Sequence, residues 1–319
     1  MRTLYFNFYG FNVRINCRDF NLQMFSFIED FSFFKSTNTH QKVDLDIYIE
    51  NILPEKSTGL YLSRTKMCRF YQKGFFVRGY EYILNDKITA SAELISRYEK
   101  IFQIRSLSFN AVDDILYFFI LSSVGESMDL RGMMRLHALS FKNSDITSIV
   151  YADSGSGKST LAKQIIDEQK GQLYSDEITV VDINSQKILP FPIRIGLIHP
   201  ENKNRRFNIF FDSKYMFSIE KKRIAKPNMS QNFIYMTVSK KSEIQTMTKL
   251  DFLFLIPKII LGIGLIQMAE HLIRPDSIFL IFRILKNRFR LVLMLKKMSG
   301  YKYKNGHNDS TVFGDQFLK

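Results

Sequence analysis

The chain has 319 residues, 45% of them hydrophobic, and a formal net charge of +14 at pH 7. That apolar content excludes a disordered or fibrous chain, and the length points to two domains or one large one. Cys17 and Cys68 are the only cysteines and share no C-x-x-C spacing, which excludes a disulfide framework and a zinc ribbon.

Residues 1–125 are expected to form an N-terminal mixed α/β domain rich in strands. Leu4 to Val13 alternates in part, with a turn at Gly10, and Val43 to Ile49 alternates cleanly. Gly74 to Leu84 suggests two short strands around a turn, and Phe102 to Phe109 another strand. No catalytic constellation stands out, which leaves scaffold or substrate docking as the role. Ala111 to Ser123 has a helical pattern, with Asn110 as N-cap, Asp113 and Asp114 in the first turn, and an end at Gly125 or near Gly132. The N-terminal residues lack the apolar core and cleavage site of a signal peptide, so a cytoplasmic protein with reduced thiols is expected.

Residues 126–319 are expected to form the core that carries chemistry. A short strand, Arg135 to Phe141, precedes a turn at Asn143-Ser144-Asp145 and the β-branched run Ile146 to Val150. Then follows Ala152-Asp153-Ser154-Gly155-Ser156-Gly157-Lys158-Ser159-Thr160, leading into Leu161 to Ile166. Strand, glycine loop and helix in that order describe a phosphate-binding loop. Its glycines let several N–H groups converge, and the helix presents its positive end to the same point. Asp153 to Thr160 would cradle the phosphates of a nucleoside triphosphate or a similar polyphosphate, with Lys158 on the outer phosphates and Ser159 on Mg²⁺. Ala152 stands where this motif usually begins with glycine, a harmless change where φ is negative.

Gly171 to Asp182 reads as a strand delivering Asp176 and Glu177, then a second strand. One carboxylate for the metal and one for the attacking hydroxyl suits phosphoryl transfer, although an Asp-Glu pair is also an ordinary surface turn. His137 lies on the strand before the loop, and strand pairing would return it there; a lone histidine is more often structural. Leu189 to Leu197 is extended, and residues 200–250 read as basic and loop-rich. Residues 251–298 read as two apolar helical runs. Pro257 and Lys258 divide the first, which falls short of a membrane span. The second, Ile278 to Met298, carries Arg283, Lys286, Arg288 and Arg290, and suits either its own core or an anionic membrane surface. The polar tail from Tyr301 is expected to fray.

The loop at 152–159 resembles that of HPr kinase/phosphorylase, which carries Gly-Asp-Ser-Gly-x-Gly-Lys-Ser. The resemblance extends to His137 upstream and Asp176-Glu177 downstream and covers about residues 130–200. It implies an α/β (α+β) fold: an HPr kinase/PEP-carboxykinase-like P-loop core on a mixed sheet, with an N-terminal β-rich domain and C-terminal helices. It implies a kinase using ATP and Mg²⁺ to phosphorylate a serine or other hydroxyl of a peptide or protein, as lasso-peptide precursor kinases do. By the resemblance Lys158 holds phosphate, Asp176 lies on the metal side, Glu177 is the base and His137 lies near the transferred group; homo-oligomers are implied as well. Ala152, Glu177 in place of a second Asp, and the missing glycine- and arginine-rich substrate signature depart from the family. Arg194, Lys203, Arg205 and Arg206 are only loose stand-ins.

A second reading is a non-kinase ATP-binding switch or ATPase that docks to a membrane or assembly through the basic C-terminal helices. Nucleic-acid binding rests on net charge alone, with no RNP or zinc-finger motif, and ranks last.

Overall fold

The computed structural model describes residues 2–37, 41–64, 68–73, 77–96, 101–153, 155–197, 205–206, 214–239, 241–261, 278–306, 313 and 316–318. It is a mixed α/β chain of α+β character, with mixed sheets and few helices. Two units separate, Met1–Val124 with Arg205–Lys214, and Gly125–Asn204 with Tyr215–Lys319.

In the first unit β1 (Arg2–Phe8) and β2 (Phe11–Cys17) form an antiparallel hairpin. Its turn holds Tyr9 and Gly10 at φ 54° and 84°, the paired positive values of a tight hairpin turn. β3 (Leu45–Glu50), β4 (Leu60–Arg64), β5 (Cys68–Lys73), β6 (Val77–Leu84), β7 (Lys87–Ser96) and β8 (Ile101–Ser106) complete a sheet ordered β1-β2-β3-β8-β7-β6-β5-β4. The 77–84 stretch is one strand, not two: Gly79 sits inside it because a Cβ there would lie 2.3 Å from the Tyr71 hydroxyl. Residues 74–76 of the expected pair lie outside the described residues.

Phenylalanines fill the core beside the hairpin. The short helix α1 (Phe27–Asp30) brings Phe27 and Phe31 against Phe6, and Phe25 stacks on Phe109 at 4.4 Å. α2 (Phe109–Leu130) starts earlier than its sequence pattern suggests and ends near Gly132, the later of the two expected ends. Ser108 caps it through the Ala111 N–H, in place of Asn110. Asp113 therefore falls in the second turn. There it accepts from Ser26 Oγ and the Phe27 N–H, placing negative charge at the start of α1.

In the second unit α2 passes Gly125 because the Arg135 guanidinium occupies the space a Cβ would fill, 1.7 Å away. The strands are β9 (Met133–Asn143), β10 (Ile146–Ala152), β11 (Gln172–Ser175), β12 (Ile178–Asp182), β13 (Lys187–Leu189), β14 (Ile195–Leu197), β16 (Lys214–Phe217), β17 (Asn228–Met229), β18 (Asn232–Ser239), β19 (Glu243–Thr246) and β20 (Ser299–Gly306); β15 (Arg205–Arg206) groups with the first unit. The main sheet is ordered β17-β13-β12-β9-β10-β18-β20-β19, with β11 also on β9. β10, β18 and β20 run parallel, which demands long crossovers.

Two expectations fail here. Residues 232–239, inside the stretch read as loop-rich, form the strand that pairs with β10. The described residues of the tail from 301 are not frayed: β20 pairs with β18 and β19, Tyr303 is buried, and Phe313, Phe317 and Leu318 enter the core. Strand alternation gives the sheet two apolar faces. On one, α3 (Lys158–Asp167) packs Leu161, Ala162 and Ile165 on Leu139, Phe141, Val150 and Ile234. On the other, α4 (Lys249–Leu261) and α5 (Ile278–Leu295) pack on Leu136, Ile149, Tyr151 and Phe233. Pro257 lies within α4 and does not divide it. Gly262 and the following residues to 277 lie outside the described residues.

Candidate functional site

β10 is buried along nearly its whole length and ends at Ala152, whose φ is not positive, so alanine replaces glycine there without strain. The chain then turns through Gly155 at φ +77° and Gly157 at φ +96°, a region where side chains are strained. A Cβ on Gly155 would meet nothing within 4 Å, so this glycine borders open space. A Cβ on Gly157 would lie 2.9 Å from Asn305 Nδ2. Gly157 is also the N-cap of α3, and the Leu161 N–H closes the first helical turn on its carbonyl.

The loop is tied internally. Ser156 Oγ donates to the Asp153 carbonyl at 2.6 Å. Lys158 is buried, and its Nζ donates to the carbonyls of Ala152 at 2.7 Å and Asp153 at 3.1 Å. The lysine ammonium is thus held against the concave side of the loop, beside the positive end of α3. Ser159 and Thr160 open that helix, half-buried and exposed respectively; Ser154 lies outside the described residues.

Strand register fixes the histidine. β9 runs antiparallel to β10 with Ala138 opposite Tyr151, so His137 falls beside the end of β10 where the loop begins. It shares parity with Leu139 and Phe141, whose side chains pack on α3, and therefore lies on the α3 face. On its other side His137 pairs with Ile178 of β12. Asp176 and Glu177 form the turn between β11 and β12, where Ser175 Oγ accepts from the Ile178 N–H and Thr179 Oγ1 donates to the Ala138 carbonyl. Asp176 is buried and Glu177 half-buried. β9 stands between these acids and β10, so they approach the loop from one strand away.

Four residues near the loop were not singled out in the sequence. Asn305 Nδ2 donates to the Ser156 carbonyl at 3.1 Å, and the Tyr303 hydroxyl donates to Asn305 Oδ1 at 3.2 Å. Lys258 of α4 pairs with the Asp153 carboxylate at 2.8 Å, and its ammonium lies 5.8 Å from the Tyr235 ring centre. The Asp153 hydrogen bond raises the Lys258 pKa above its ordinary value. The Tyr-Lys-Tyr-Lys alternation at 301–304 was the available cue for β20; nothing in sequence placed Lys258 at the loop.

Among the described residues no three His, Cys, Asp or Glu side chains gather as a metal cage. A Mg²⁺ held by one hydroxyl, one carboxylate and phosphate oxygens needs no such cage. Ser159 opens α3 and Asp176 lies in the turn between β11 and β12, and both offer oxygen, the ligand type a hard cation takes. No family model matches this sequence, and no curated protein matches it.

Proposed function

We propose that this chain is an ATP- and Mg²⁺-dependent kinase of HPr-kinase-like type, moving a terminal phosphate to a hydroxyl of a peptide or protein. The observation that supports it most is the glycine loop. Two left-handed glycines and a buried lysine stand between a buried strand and a helix, on the sheet face that also carries His137. Loop amides and Lys158 would hold the phosphates, and Ser159 and Asp176 would hold Mg²⁺. Bound Mg²⁺ would neutralise phosphate charge. Glu177 would take the acceptor hydroxyl's proton as its oxygen bonds to phosphorus and the bond to the ADP oxygen breaks. His137 would donate to the transferred group.

Calorimetry with Mg-ATP, paired with label transfer from γ-labelled ATP to serine peptides, tests the reading. Heat in the wild type, none in Lys158→Ala, and binding without transfer in Glu177→Gln are expected. No heat in the wild type overturns it. A nucleotide-dependent switch is the second reading, favoured by the exposed faces of α4 and α5; it predicts free phosphate as the sole labelled product with every acceptor.

A further inference from the structure

We propose that the outward faces of α4 and α5 form a surface that lies on an anionic lipid bilayer. The proposal stands apart from the nucleotide reading. Both helices already spend their inward faces on the sheet: Phe252, Leu255 and Ile259 from α4, and Leu291, Val292 and Leu295 from α5, are buried. Their other sides remain apolar. On α5, Phe279 is 83% exposed and Phe282 66%, with Phe289 and Leu293 following along the same face. On α4, Phe254 is 71% exposed, flanked by Leu250, Leu253 and Leu261. Surface helices of a globular domain normally turn polar residues outward, so two adjacent helices exposing large apolar side chains mark an interaction surface.

Charge selects the occupant. α5 contains no acidic residue at all. Arg283, Lys286 and Arg290 stand exposed beside the aromatic stripe, and Lys296 and Lys297 follow at its end. In the helical projection Arg283 and Arg290 border the apolar stripe and Lys286 lies within it, all on one outward arc. On α4 the single acid, Asp251, is half-buried and paired with Lys302, and the exposed positions bear Lys249 and, paired with the loop's Asp153, Lys258 at the margins of the apolar stripe. Aromatic and aliphatic side chains with cations alongside, and no exposed anion on either helix itself, are the composition of helices that lie in a lipid interface. Neither helix is long and apolar enough to cross a membrane, so the geometry is one of lying on the surface.

The test is flotation of the full chain with vesicles of pure phosphatidylcholine and of phosphatidylcholine holding about three parts in ten of phosphatidylglycerol. Binding to the anionic vesicles alone, weakening as salt rises, is expected. Each cation near such a surface contributes about fivefold to partitioning, so K286E/R290E should bind at least about 25-fold more weakly. Phe282→Ser with Phe289→Ser should also release the protein; because both sites are exposed, unchanged circular dichroism and melting are expected. Failure to float with anionic vesicles overturns the proposal, as does equal flotation of these variants. A dimer by light scattering that dissociates in the phenylalanine variant, with no flotation of the wild type, overturns it in favour of a second copy.

Discussion

The two faces of the second unit's main sheet treat charge in opposite ways. On the α3 face the charges stand at the sheet's rim, held by a loop whose shape comes from backbone, and Asp153 remains exposed. On the α5 face a guanidinium is sealed inside. Arg288 is 1% exposed, its Nη1 donates to the Arg135 carbonyl at 2.6 Å, and it shares the buried carboxylate of Asp129 with Arg135. Burial lowers the Arg288 pKa, and Asp129 opposes that shift. Charge that is dry and mutually paired sets helix position; charge at a rim, beside open space and amides, is available to a ligand.

The sharpest way to break that contrast is to remove the shared anion. Asp129→Ala would strand two buried guanidiniums, and a loss of about 3–5 kcal/mol in denaturant unfolding is expected. Arg288→Met should lose far less, because Asp129 keeps Arg135 at 3.0 Å. Equal losses in the two variants would show that Asp129 is not the keystone of the cluster.

On the opposite face the conformation of the loop takes the place of the ion network. Gly157→Ala forces a side chain into φ +96° and against Asn305. A loss of about 1–3 kcal/mol is expected by thermal unfolding, together with weakened Mg-ATP heat. Unchanged stability would mean that the loop relaxes to negative φ.

How far sequence reaches is visible in these same elements. The loop and the β9–β10 hairpin were legible because their determinants are local: glycine spacing, a β-branched run, a polar turn. β18 and β20 were not, since Asn232–Ser239 is flanked by basic residues and 299–306 carries alternate lysines. Both are strands because of parallel pairing, β18 with β10 and β20 with β18, a long-range condition that a window of sequence does not contain. Pro257 was read as a break, yet the helix absorbs it, for Leu255 and Ile259 on either side are pinned in the core. His137 was legible as a candidate and register fixed its face, whereas Asn305 and Lys258 came to the loop only through tertiary packing.

A smaller effect separates α4's own anchoring from its contact with the loop. Thr248 and Asp251 cap the helix reciprocally: the Asp251 N–H donates to Thr248 Oγ1 and the Thr248 N–H to the Asp251 carboxylate, both at 3.1 Å. Those hydrogen bonds, with Lys302, lower the Asp251 pKa. Its contribution is therefore present above the ordinary aspartate value and fades as pH falls through the lowered one. Thr248→Ala should lose about 1 kcal/mol at neutral pH, and less in acid. A loss independent of pH would assign the effect to helix propensity.

The smallest expected effect concerns a link between the two faces, Lys258 to Asp153. Both side chains are about half exposed, so solvent and salt screen the pair and its worth is small. Its direction is still defined. The folded Lys258 pKa lies above the ordinary value, chiefly through the Asp153 hydrogen bond. The stabilisation is complete below the unfolded lysine value of about 10.4 and disappears as pH rises through the folded one. Unfolding of wild type and Lys258→Met should therefore differ slightly at neutral pH, converge in strong alkali, and converge in high salt. A difference that survives both conditions would place the lysine's contribution in its methylene stem against Tyr235 rather than in its charge.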